Sequence, residues 1–75
     1  MIEELSVELL WIRNRRALDI TLAGDSEIVR RYAAMTTEAP PIMVERWSFH
    51  IGDGHHRVCA ARLRGDKTIR ADVAG

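Results

Sequence analysis

The chain has 75 residues, eleven basic and eleven acidic, with zero formal net charge and 47% apolar side chains. That length makes one domain, residues 1–75, and the charge balance excludes a gross electrostatic attraction to nucleic acid or membrane, leaving only local patches. The single Cys59 excludes an intrachain disulfide and a multi-cysteine metal knot, and no apolar run is long enough to span a bilayer. No basic leader precedes an apolar core, so a cytoplasmic protein without a signal peptide is expected.

Residues 1–24 carry two competing patterns. Leu5, Val7 and Leu9 alternate with Ser6 and Glu8, which predicts a half-buried strand. Val7, Leu10 and Trp11 are also spaced for a helix that Ser6 could cap; the strand is preferred. Arg13-Asn14-Arg15-Arg16 then reads as a basic loop, and Leu18, Ile20 and Leu22 as a short extended piece. Gly24-Asp25-Ser26 introduces a helix over 26–36, with Asp25 or Ser26 as its cap and Glu27 in its first turn. Ile28, Val29, Tyr32, Ala33 and Met35 form its apolar face.

Pro40-Pro41 excludes helix and holds Ala39 extended. Residues 41–47 and 48–52 read as two strands of a hairpin. Ile51-Gly52-Asp53-Gly54-His55-His56-Arg57 reads as a strand end, a tight turn and the start of a helix over 55–64, with Gly65 as its stop. His56, Cys59, Ala60 and Leu63 share the packed face of that helix, with Arg57, Ala61 and Arg64 flanking it. Ile69, Ala71 and Val73 alternate in a last strand that returns to the same sheet. Trp11 and Trp47 are expected to complete the small core, the alternative being that they anchor an interface.

The candidate site is the turn. Two histidines and an arginine occupy a first helical turn, where unpaired N–H groups and the helix dipole already attract negative charge. Cations there need an anion or an acidic partner. The candidate phosphate-binding residues are therefore Gly52, Asp53, Gly54, His55, His56 and Arg57. The opposing reading is that the glycines only reverse the chain and Asp53 only caps the helix. Adjacent His55 and His56 point in different directions and cannot chelate one ion, so no metal site is assigned, although His50 and Asp53 lie near in sequence. Ser48 and Cys59 have no evident base, so no catalytic residue is assigned.

Residues 40–73 resemble the nucleotide-binding core of the ParB/sulfiredoxin-like superfamily, in a minimal stand-alone version. The likeness is carried by Pro41-Ile42-Met43-Val44, Asp53-Gly54-His55-His56-Arg57, the Ala60-Ala61 helix ending at Gly65, and the strand Lys67-Thr68-Ile69-Arg70-Ala71-Asp72-Val73. It implies an α+β domain, a small mixed sheet packed against two helices, with 40–73 as its strand–hairpin–helix–strand core. It also implies that the turn receives nucleotide phosphates, that Arg57 contacts them, and that the cofactor is a nucleoside triphosphate, CTP or ATP, with Mg²⁺. Family members clamp DNA using CTP, repair oxidised cysteines using ATP, phosphorylate free serine or are described as nucleases. This chain departs from sulfiredoxins, because His55 stands where they carry cysteine and Cys59 lies a turn deeper. The helix-turn-helix and dimerisation regions of partition proteins lie outside these 75 residues. A kinase would need converging carboxylates, and Glu45, Asp53 and Asp72 are only near in sequence.

Three functions follow as expectations. The first is a nucleotide- or phosphate-binding domain, with any turnover a weak NTPase or nuclease-like activity. The second is a non-catalytic module, phage- or plasmid-borne, that binds a host protein. The third is a nucleic-acid-binding protein using Arg13, Arg15, Arg16, Arg30 and Arg31, against which zero net charge and few aromatics weigh. Exposed sheet edges in so small a domain also predict a homodimer.

Overall fold

The computed structural model describes residues 1–35 and 39–75. Strand β1, Ile2–Ser6, opens the chain. Ser6 then caps helix α1, Val7–Arg13: its hydroxyl accepts the Leu9 N–H at 3.1 Å, and Glu8 sits favourably in the first turn. The strand expected over Leu5–Leu9 thus ends at Ser6, and the helical spacing prevails. Val7 and Leu10 are both buried, as positions three apart on one helix face should be.

Helix α2, Arg15–Ala34, follows almost without interruption. The expected basic loop at 13–16 is a helix–helix junction, made by Asn14 alone with φ −124° and ψ 24°. The extended piece expected at Leu18, Ile20 and Leu22 is also helical. On a strand all three would share a face; here Leu18 is fully buried while Ile20 is 64% exposed, because helical steps scatter them. The start signal at Gly24-Asp25-Ser26 survives as a kink, with Asp25 at φ −126°, ψ 33° inside α2. The apolar face beyond it is narrower than expected. Val29 is buried and Tyr32 and Ala33 half-buried, whereas Ile28 and Met35 are exposed. The helix end expected at residue 36 lies outside the described residues.

The second half matches its pattern more closely. β2, Ile42–Glu45, and β3, Ile51–Asp53, pair antiparallel with a bulge between Met43 and Val44. Helix α3 spans His55–Arg64, and Gly65 ends it in the left-handed region at φ 81°. There the Gly65 N–H bonds the Arg62 carbonyl and the Asp66 N–H the Ala61 carbonyl. β4, Thr68–Ala74, runs up the middle of the sheet, antiparallel to β1 and parallel to β2, giving the order β1-β4-β2-β3.

The result is an α+β domain with a four-stranded mixed sheet. Among the described residues it has three helices rather than the two expected, because residues 7–34 are helical. One sheet face supplies Ile42, Val44, Ile51, Ala71 and Val73 to a core shared with Leu10, Leu18, Val29 and the Val58–Ala60 segment of α3. α3 packs on α2 as well as on the sheet, which rotates its buried arc. Ala61 is buried and Leu63 is 61% exposed, the reverse of the expected placement. Trp11 is half-buried beneath the Arg62 guanidinium, 3.9 Å from its ring centroid. Trp47 does not join the core and is 82% exposed.

One buried polar residue joins the two halves. Asn14 donates its amide to the Leu10 and Phe49 carbonyls, both at 2.9 Å, and accepts the Ile51 N–H at 3.0 Å. These bonds pin the α1–α2 junction to the β2–β3 turn, where Phe49 is held at φ 58°.

Candidate functional site

The six predicted residues follow one another along the end of β3 and the first turn of α3, but their side chains diverge. Gly52 is exposed, and an added Cβ would meet nothing closer than the Met43 carbonyl at 3.7 Å. Gly54 is the opposite: it is buried, takes φ +115°, and a Cβ there would lie 2.4 Å from Ile42 Cγ2. Its missing side chain serves backbone geometry and close packing on β2 rather than ligand access. As N-cap it offers no side-chain acceptor, so the first-turn N–H groups of α3 have no side-chain cap.

His56 and Arg57 of this turn have found internal partners. His56 Nε2 lies 3.0 Å from Asp25 Oδ2, and its ring stacks on Tyr32 with centroids 6.4 Å apart. His56 thereby ties α3 to the kink and second segment of α2. Arg57 donates to the Pro40 and Pro41 carbonyls, the latter at 3.2 Å, and faces Asp53 Oδ2 at 3.4 Å. Burial lowers the pKa of His55 below its ordinary 6.5, helped by neighbouring His50 and His56 and opposed by Asp53. His55 is therefore neutral at pH 7 and contributes a hydrogen-bonding ring rather than a charge. Among the described residues no group of three or more His, Cys, Asp or Glu side chains could hold a metal ion.

The space beside Arg57 lies along the flank of α3. An open groove of about 450 Å³ runs between α3, the end of α2, the Ala39–Pro40 segment and the start of β4. It exists because β4 begins at Thr68 whereas β2 joins it only at Ala71, leaving Thr68–Arg70 paired with β1 alone. Arg57, Arg64 and Arg70 line it, with Tyr32 and Thr68, against the carboxylates of Glu4 and Asp66. Arg64 is oriented by the Tyr32 carbonyl at 2.9 Å and Asp66 at 3.0 Å. Volume and charge suit a small phosphate-bearing molecule. Sequence reasoning missed Arg64, Arg70 and Tyr32 as a group. Arg57 and Arg64 share a helix flank at i, i+7, which was the available signal; Arg70 and Tyr32 come from other elements.

Cys59 is 1% exposed, and its thiol points at the Leu18 carbonyl, 3.7 Å away. Burial, reinforced by Asp19, raises its pKa from the ordinary 9.0 to about 11. It is a packed thiol rather than a nucleophile at neutral pH.

No family model and no solved structure matches this chain. It is 40% identical over 52 residues to the transcriptional regulator NovG of Streptomyces niveus, a match that takes in 68% of this chain. The chain spans only 16% of the regulator's length. Among the described residues no helix is long and apolar enough to cross a membrane.

Proposed function

We propose that this chain is a ParB-like domain that binds a phosphate-bearing small molecule, a nucleoside triphosphate with Mg²⁺ being the simplest candidate, within a regulatory protein. One observation carries the reading: Arg57, Arg64 and Arg70 line a single groove of about 450 Å³ along the flank of α3, Arg57 being the one residue of the predicted turn that reaches it. The phosphates lie at the Arg57 end, where they replace the neutral Pro40 and Pro41 carbonyls as acceptors and add an opposite full charge and two-pronged geometry to the guanidinium bond. The likeness to a transcriptional regulator supports a binding rather than a metabolic role.

Isothermal titration with CTP, ATP and ADP, each with and without Mg²⁺, tests this. Wild type should bind at least one of them. Arg57→Ala and Arg64→Ala should each weaken binding about tenfold or more, the loss of a charge-assisted bond, while circular dichroism confirms the fold. No binding by the wild type, or equal affinities in all three proteins, refutes the reading.

A further inference from the structure

We infer a second binding surface, remote from the groove: the α1–α2 junction and the β2–β3 turn together form a docking site for single-stranded nucleic acid. Arg13, Arg15 and Arg16 are all exposed around the buried Asn14. Among the described residues Arg13 and Arg16 have no hydrogen-bond or ion-pair partner, and Arg15 has only a loose contact to Asp19 at 3.8 Å. Three exposed guanidinium groups thus flank the junction that Asn14 anchors.

The corner also carries an aromatic. The Asn14 bonds to the Phe49 carbonyl and the Ile51 N–H hold the β2–β3 turn against the junction. Trp47 lies in that turn, just upstream of Phe49, 82% exposed and, among the described residues, without an aromatic or cation partner. His50, exposed, adds a polar ring on the same turn. The neighbouring Arg46 is committed elsewhere, to Glu3 at 2.6 Å.

An exposed indole on a turn that Asn14 pins to the arginine-bearing junction matches one chemistry best. Phosphodiesters supply the negative charge, and an unstacked base covers the indole face. Stacking of this kind and backbone charge neutralisation are the two terms of single-strand binding. A duplex keeps its bases stacked and offers Trp47 nothing, and an acidic peptide meets the arginines but not the ring. Zero net charge overall is no obstacle, because several carboxylates are engaged elsewhere, Glu3 on Arg46, Asp53 on Arg57 and Asp66 on Arg64, whereas Asp19 beside Arg15 and Glu45 before the turn are the acids near this corner.

The test is fluorescence anisotropy with labelled dT12 at several salt concentrations, alongside a 12-base-pair duplex and poly-glutamate. Wild type should bind dT12 most tightly, with a log–log salt slope of about −2 for three phosphate contacts. The Arg13→Glu/Arg16→Glu double variant should lose at least about tenfold, and its slope should fall toward about −0.7. Trp47→Ala should weaken binding about tenfold, and tryptophan quenching by dT12 should vanish with it while Trp11 still emits. Arg57→Ala should bind dT12 like wild type, separating this surface from the groove. No binding at 50 mM salt, an unchanged double variant, or a duplex or poly-glutamate binding as tightly as dT12 overturns the inference.

Discussion

The start of α3 and the α1–α2 junction both present arginines, yet they are built in opposite ways. Arg57 is 15% exposed and bonds oxygens of Pro40, Pro41 and Asp53. At the junction the buried group is the neutral Asn14, and the arginines on either side of it stand in water. A guanidinium enclosed by acceptors is fixed in position, and much of its field is spent on the protein itself. A free one keeps its field and has no fixed position. The first arrangement suits a small ligand that must be oriented; the second suits a flexible polyanion.

The largest expected effect comes from breaking the support of the first surface. Gly54→Ala forces a Cβ onto Ile42 at a backbone angle that side chains disfavour. Overpacking and left-handed strain together cost about 4 kcal/mol, enough to unfold much of so small a domain. Gly52→Ala, in the same motif but meeting Met43 only at ordinary van der Waals distance, should cost less than about 0.5 kcal/mol. Urea melts of the two variants check this. Pairing Gly54→Ala with Ile42→Ala removes the Cγ2 contact but leaves the Ile42 Cβ 2.7 Å from the new methyl, so the double variant should be only slightly more stable than the sum of the two costs implies. A double variant as stable as Ile42→Ala alone would mean that position 54 does not press on the Ile42 Cβ.

Breaking the second surface should cost somewhat less. Asn14→Ala leaves the Ile51 N–H and Phe49 carbonyl without their partner in a buried place, worth about 2–3 kcal/mol. The loss should be local as well as global. In hydrogen exchange the Ile51 amide should lose protection before the amides of α3 do. Uniform loss along the chain would show that Asn14 supports the core generally and does not specifically hold the turn to the junction.

How legible these regions were in the sequence follows from where their partners lie. Helix α3 was readable to both ends, because its stop, Gly65, and its start, Gly54, are local backbone signals. β4 was readable because Ile69, Ala71 and Val73 alternate on a strand at the middle of the sheet, paired on both sides at Ala71 and Asp72. Residues 15–24 were misread because Ile20 and Leu22 are apolar but exposed, so they imitated a strand's period without the burial that would justify it. The candidate cations were visible as residue types. Their partners were not: Asp25 reaches His56 across 31 positions and Pro40 reaches Arg57 across 17. Asn14, hidden in an arginine string, looked like a loop residue because nothing local marks a polar side chain for burial.

The smallest effect at neutral pH concerns Cys59, which lies between α2 and α3 beneath both surfaces. Its folded-state pKa is raised from 9.0 to about 11, so above pH 9 the unfolded chain releases this proton more readily than the folded one. The folded state then binds more protons, and linkage makes stability fall as pH rises. The contribution is fully present below pH 9 and is lost between pH 9 and about 11. Tyrosine and lysine also titrate in that range, so the informative quantity is the difference between wild type and Cys59→Ala. That difference should stay constant from pH 7 to 8.5 and then shift steadily in favour of the variant. A difference that stays flat to pH 10.5 would mean that the thiol ionises as easily in the fold as out of it, and that α2 and α3 part there enough to admit water. The corner around Asn14 and the turn at Gly54 would then rest on helices that move independently.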